Sequence, residues 1–299
     1  MNAHRDFERP KGSRGDFRDF SLTHGDPDYA PSVRCTPSSR HYAQTNVQLF
    51  ATLSGDGYGD LDVLRIGDAY THAQQLFAAQ FRGSGRPFLA HLVGTASILA
   101  KHGASPNVVI AGLLHAAYEH GDFGSALRGP TSAKRRKLIR VIGPEAESLV
   151  SRYTALRWTP AAISGFSARA APLTQDERDV LFIRLANDLE DGLRDNFVFS
   201  ALGKQRTVAE CLPASANLAD NLGFANLAEE LRLCAEIAQM PLQAPLCQSV
   251  GDASYPLVPA SCTLRTLPRL VRALKRLERT LPKGARQKLN TWLASIGSK

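Results

Sequence analysis

An all-α fold is what this sequence predicts, and three observations carry the prediction. Apolar residues return at helical spacing in separate stretches: Leu64, Ile66, Ala69, Ala73, Leu76 and Phe77; then Leu92, Val93, Ala96, Ile98 and Leu99; and later Leu227, Leu231, Cys234 and Ala238. Val108 to Leu114 adds an apolar run on a further segment. Turn signals at Gly83-Ser84-Gly85-Arg86-Pro87 and Gly143-Pro144 separate these stretches. At 299 residues, 43% hydrophobic and 21% charged, the chain has the length for one helical core with extensions.

Residues 1–60 are rich in Arg, Asp, Gly, Ser and Pro, with few apolar residues at either period, and read as a disordered tail of mixed charge. They contain no apolar core of a signal peptide. Asp6, Glu8, Asp16 and Asp19 argue against a transit peptide. The helical domain is expected over 61–239. Its first helix covers Leu61 to Phe81, with His72 on the outer surface. A helix pair broken at Gly143-Pro144 spans Thr131 to Leu156, and Lys134-Arg135-Arg136-Lys137 forms a basic patch beside the cleft or a solvated helix start. Trp158 to Thr174 reads as a loop, Gln175 opens the next helix, and Ala209 to Gln239 holds two more. The five cysteines are scattered and odd in number, which fits a reducing cytoplasm and argues against a structural zinc site. No run of about 18 apolar residues exists to span a bilayer.

Residues 240–263 carry four prolines and read as a linker. The segment 264–299 is a basic amphipathic helical extension: Leu267, Leu270, Val271, Leu274, Leu277 and Leu281 form a stripe among arginines and lysines. It holds ten Lys or Arg against Glu278 alone, so the whole-chain charge of +8 belongs to this segment. Such a helix suits an anionic membrane surface, which would place the protein at the periphery of a membrane, or an acidic protein partner. Nucleic acid is less favoured, since no aromatic residues interleave with the basic ones. The stripe packing on the protein's own core is the other reading.

The candidate site lies between Phe81 and Gly121, with His91 on one apolar segment and His115, Glu119 and His120 on the next. His115 and Glu119 are four apart and would share a face of a helix. Arg82, Ser84-Gly85, Pro87-Phe88 and His91 follow one another here, and Leu113-Leu114-His115-Ala116-Ala117-Tyr118-Glu119-His120 comes next. Lys137 to Leu156 and Arg184-Leu185-Ala186-Asn187-Asp188-Leu189-Glu190-Asp191 complete the series. In this order the four motifs resemble the HD-type metal-dependent phosphohydrolases, most closely the hydrolase domain of the RelA/SpoT alarmone enzymes. The last motif looks like the family's Lys-Leu-Ala-Asp-Arg-Leu-His-Asn. The likeness covers about Asp62 to Arg194 and implies an HD-domain helical bundle.

The resemblance further implies one Mn²⁺-like ion held by a His, a His-Asp pair and a distant Asp. His91 and His115 match two of these positions, whereas Ala116 and Asn187 stand where the two Asp ligands belong. Carboxylate oxygens suit such an ion and neutralise its charge, so the metal set His91, His115, Asn187 and Asp188 reads as degenerate. Asp188 is one residue out of register, a rotation of about 100°. Zn²⁺ on His91, His115 and His120 is a further option without a standard spacing. Glu119 matches the acid that acts on the attacking water, and Glu119, His120 and Asp191 are proton-transfer groups. The family's counterpart of Arg82 lies against the nucleotide base, so Arg82, with Ser84 beside it, is the candidate nucleotide contact. His120 equally suits a helix end before Gly121. Two readings follow: a nucleotide- or partner-binding module with little or no hydrolase activity, requiring no cofactor, or a divergent phosphohydrolase using Mn²⁺ or another divalent metal to remove pyrophosphate from a guanine nucleotide.

Overall fold

The computed structural model describes residues 42–124, 128–240 and 253–257. These residues form eleven helices and one two-stranded ribbon, the all-α architecture expected. The expected helical extension 264–299 and most of the expected tail lie outside the described residues. No helix among those described is long and apolar enough to cross a membrane.

Helix α1 (Asn46–Gly55) lies inside the stretch read as a tail. Only Leu49 and Leu53 of α1 are fully buried, too short an apolar repeat to register in the sequence. A reciprocal cap between Thr45 and Gln48 starts it. The remaining helices begin on equally local signals. Thr131, Thr159 and Thr174 each accept an amide hydrogen bond at the start of α6 (Ser132–Ala155), α7 (Pro160–Ser167) and α8 (Gln175–Gly192). Proline occupies the first turn of α4 (Pro106–Leu114) and of α7, where its missing N–H costs nothing. Helix α7 therefore replaces the loop expected over 158–174, with Ile163 its one buried side chain. Within α6 the backbone breaks at Gly143, whose φ of 82° favours glycine, so the expected helix pair is present.

Helices α2 (Asp60–Phe77), α3 (Phe88–Lys101), α4 and α8 enclose the core, with α6 and α1 packed around them. Leu92, Ile98 and Leu99 of α3 and Val109, Leu113 and Leu114 of α4 are fully buried. Each contributes roughly 1.5–3 kcal/mol relative to exposure. Helix α3 crosses α8 closely at Gly94, where an added Cβ would stand 2.9 Å from Glu190 Oε1. Helices α10 (Leu202–Asn221) and α11 (Ala225–Gln239) pair against the far side of α8. The histidine expected on the surface of the first helix, His72, is instead 6% exposed, and burial lowers its pKa.

Two departures bear on the site. Helix α4 stops at Leu114, and Ala117–His120 forms a separate short helix, α5. His115 and Glu119 therefore do not share one helical face. Within the expected linker, β2 (Tyr255–Pro256) pairs antiparallel with β1 (Gln80–Phe81), and the Tyr255 ring stacks on Phe81 with centroids 5.8 Å apart.

Candidate functional site

A cavity of about 340 Å³ opens where α3, the α4–α5 junction, α8 and the start of α10 meet. Arg82, Ser84, His91, His115, Glu119, His120, Asn187 and Asp191 all line it, as does Ala116. The structure thus gathers every candidate residue except Asp188. On α8, Asp188 is rotated away, its Oδ2 accepting hydrogen bonds from Trp158 Nε1 and Ser215 Oγ, both at 2.7 Å. One residue of helical register accounts for the difference.

His91 and His115 form the floor, with ring centroids 5.3 Å apart and planes at 78°. His115 Nδ1–H donates to the Gly112 carbonyl at 2.7 Å, which leaves Nε2 as an acceptor. His91 Nδ1 is bonded to Glu190 Oε2, so its Nε2 is also an acceptor, and that atom is buried without a partner. Burial, followed by the His91 ring, pushes the His115 pKa down to about 3. His120 is pushed down to about 4 by burial and then by Arg128. Burial and the Arg82 charge lower His91 and outweigh the opposing pull of Glu190. The floor is therefore neutral at physiological pH.

Cations line the walls. Arg82 bonds Asp191 Oδ1 and lies 5.6 Å above the Phe88 ring. Lys204 Nζ donates to Asp191 Oδ2 at 2.8 Å, and Asn187 Nδ2 donates to the same oxygen at 3.3 Å. Burial alone would raise the Asp191 carboxyl, but Arg82 and Lys204 hold it well below the usual carboxylate range. Arg184 bonds Tyr153 Oη at 2.8 Å, while Arg128 stands at the exposed mouth.

Glu190 is the residue that sequence reasoning missed. It is fully buried, and its two oxygens take His91 Nδ1, Arg86 and Asn196 Nδ2. The available signal was an acid following Leu189 in a helix that is otherwise apolar from Val180 to Ile183. Lys204 and Arg128 gave none. The expected basic patch at 134–137 is not part of the cavity: Lys134 is buried with Nζ on the Gly129 carbonyl, and Arg135 forms a two-bond pair with Glu147. Among the described residues the sole cluster of three potential ligand side chains is His91, Glu190 and Asp191, whose oxygens are already engaged by Arg86, Arg82 and Lys204. The His91, His115 and His120 set considered for zinc does not form such a cluster.

Residues 73–157 match a family model described as a domain of unknown function, DUF6817. Among curated proteins, "GTP pyrophosphokinase rsh" of Brucella abortus is 28% identical over 178 residues, covering 58% of this chain and 22% of its own. "GTP pyrophosphokinase" of Myxococcus xanthus is 28% identical over 181 residues, with the same coverages. The chain is a distant homologue of the RelA/SpoT proteins. "Probable GTP diphosphokinase RSH2, chloroplastic" of Oryza sativa, also in that group, is 27% identical over 174 residues. The chain spans about a fifth of the length of these RelA/SpoT relatives, 22% to 23%. A solved structure described as "A metazoan ortholog of SpoT hydrolyzes ppGpp and plays a role in starvation responses" is 21% identical, with a TM-score of 0.41, covering 58% of this chain and 93% of that one.

Proposed function

We propose that this chain is a binding module for a phosphorylated guanine nucleotide, built on a hydrolase-type scaffold and with little or no hydrolase activity. The carrying observation is the charge of the cavity. Arg82, Arg128, Arg184 and Lys204 line it, against the carboxylates of Glu119 and Asp191. Ala116 and Asn187 occupy the positions where the resemblance puts metal-binding carboxylates. The one buried acid in the lining, Asp191, is shared between Arg82 and Lys204. Two neutral imidazoles and an amide do not make a site for Mn²⁺, a hard ion that takes oxygen donors and needs its charge offset. The same walls suit phosphate oxygens, with guanidinium and ammonium groups as charge-assisted donors.

One observation favours the alternative, a divergent metal-dependent phosphohydrolase. The carboxylate–His91 pair, with a partnerless Nε2 on the far side of the ring, is how metal-ligating histidines are commonly oriented. Calorimetry with guanosine tetraphosphate, in EDTA and then in Mn²⁺, separates the two readings. Binding that persists in EDTA, with no pyrophosphate released in Mn²⁺, is the expected result. Metal-dependent binding with turnover would reverse the assignment.

A further inference from the structure

We infer that Asp191 occupies the anion site of its own cavity, and that a diphosphate group binds by taking over the bridge its carboxylate makes between Arg82 and Lys204. This rests on the metal-free nucleotide-binding reading above.

Asp191 is 7% exposed, yet it lines the cavity and satisfies two cations from different elements. Arg82 comes from the turn after β1, and Lys204 from the first turn of α10. That turn reinforces the site. Helix α10 starts at Leu202 with Ala201 as its cap residue, whose side chain cannot cap the leading amides. Ser200, Ala201 and Lys204 all line the cavity, so the positive end of a 20-residue helix adjoins the bridge. His91, 1% exposed and with Nε2 unpartnered, marks the same space as built for a ligand. Ala253 and Ser254, just ahead of β2, also line the cavity.

A carboxylate spans two cations with two oxygens. A diphosphate offers the same two donors more acceptor oxygens and more negative charge, in a cavity that Arg128 and the start of α10 also line. Asp191 left in place would repel it. The Asp191 charge thus opposes the ligand, a role opposite in sign to that of a metal-binding carboxylate.

The sign makes the test decisive. Calorimetry with inorganic diphosphate in EDTA should give Asp191→Asn a dissociation constant lower than wild type, by roughly tenfold for one like charge removed from a partly screened site. Arg82→Gln and Lys204→Gln, both on partly exposed side chains, should each weaken diphosphate by a similar factor. Unchanged or weaker binding by Asp191→Asn overturns the inference. If that variant does not fold, undiminished binding by both cation variants overturns it equally. Guanosine tetraphosphate binding by wild type in EDTA, without the Asp191→Asn gain, would sink the displacement alone. A requirement for Mn²⁺ by either ligand would sink the metal-free reading as well.

Discussion

His91 and Glu190, 99 positions apart in sequence, are joined by one buried hydrogen bond from Nδ1 to Oε2. Burial would raise the Glu190 carboxyl, but Arg86 and His91 hold it below the ordinary carboxylate value. The pair ties α3 to α8 beneath the cavity. Glu190→Gln leaves Arg86 without its counter-charge and His91 with a poorer acceptor. The expected loss is about 3 kcal/mol of unfolding free energy, typical of removing one partner from a buried ion pair. Urea denaturation measures it; a loss under about 1 kcal/mol would mean that the bond is not holding the helices.

Asp188→Asn should separate structure from binding. Its Oδ2 holds Trp158 and Ser215 on the side of α8 away from the cavity, while its Oδ1 lies 3.5 Å from Arg184 Nε. Tryptophan emission and thermal stability should change, with a stability cost of about 1–3 kcal/mol. Nucleotide affinity should not fall, because Arg184, released from Asp188, keeps its charge and its bond to Tyr153. A large affinity loss without a change in emission would return Asp188 to the site.

Restoring the missing charges should restore an ion. The double variant Ala116→Asp, Asn187→Asp supplies two carboxylates beside His91 and His115, the oxygen-rich set that Mn²⁺ prefers. Titration calorimetry should detect Mn²⁺ binding by the variant and none by wild type. Equal Mn²⁺ affinity in both proteins would show that the substitutions in this chain are not what governs metal binding.

Acid should destabilise the fold well before carboxylates protonate. The His115 pKa falls from 6.5 to about 3 on folding, because burial and the His91 ring disfavour the imidazolium. Between those values the unfolded chain binds a proton that the folded chain refuses, so stability falls as pH drops through this window. At pH 5 one such histidine accounts for about 2 kcal/mol relative to pH 7. Glu190 and Asp191 shift downward too, but their stabilising contribution is lost only as pH falls through their unfolded values, 4.5 and 3.8. His115→Gln should reduce the difference in urea midpoint between pH 7 and pH 5. An unchanged difference would relocate the titration to other groups, His91 and His120 foremost.

Long apolar repeats made the fold class legible. Helices α2 and α11 each bury a face that returns every three or four residues, while α3 is buried on all sides from His91 to Ala100, and these apolar repeats are visible in the sequence. Helices α1 and α7 were not, because they bury only Leu49 and Leu53, or Ile163 alone. The same limit applies to the site. His91, His115 and Asn187 stood out by their motif positions, whereas Glu190, Arg86 and Lys204 acquire their roles only through partners brought together by folding. Asp188 and Asp191 are both acids of one helix, and periodicity assigns neither a direction without knowing which face meets the cavity.

The ribbon of β1 with β2 has a practical bearing on how this domain should be delimited. A truncation after Gln239 would keep the eleven helices of the described residues, yet it would discard Ala253 and Ser254 and leave Phe81 without the ring stacked upon it. Arg82 directly follows that phenylalanine, so the excised piece pairs with the strand that leads into the cavity.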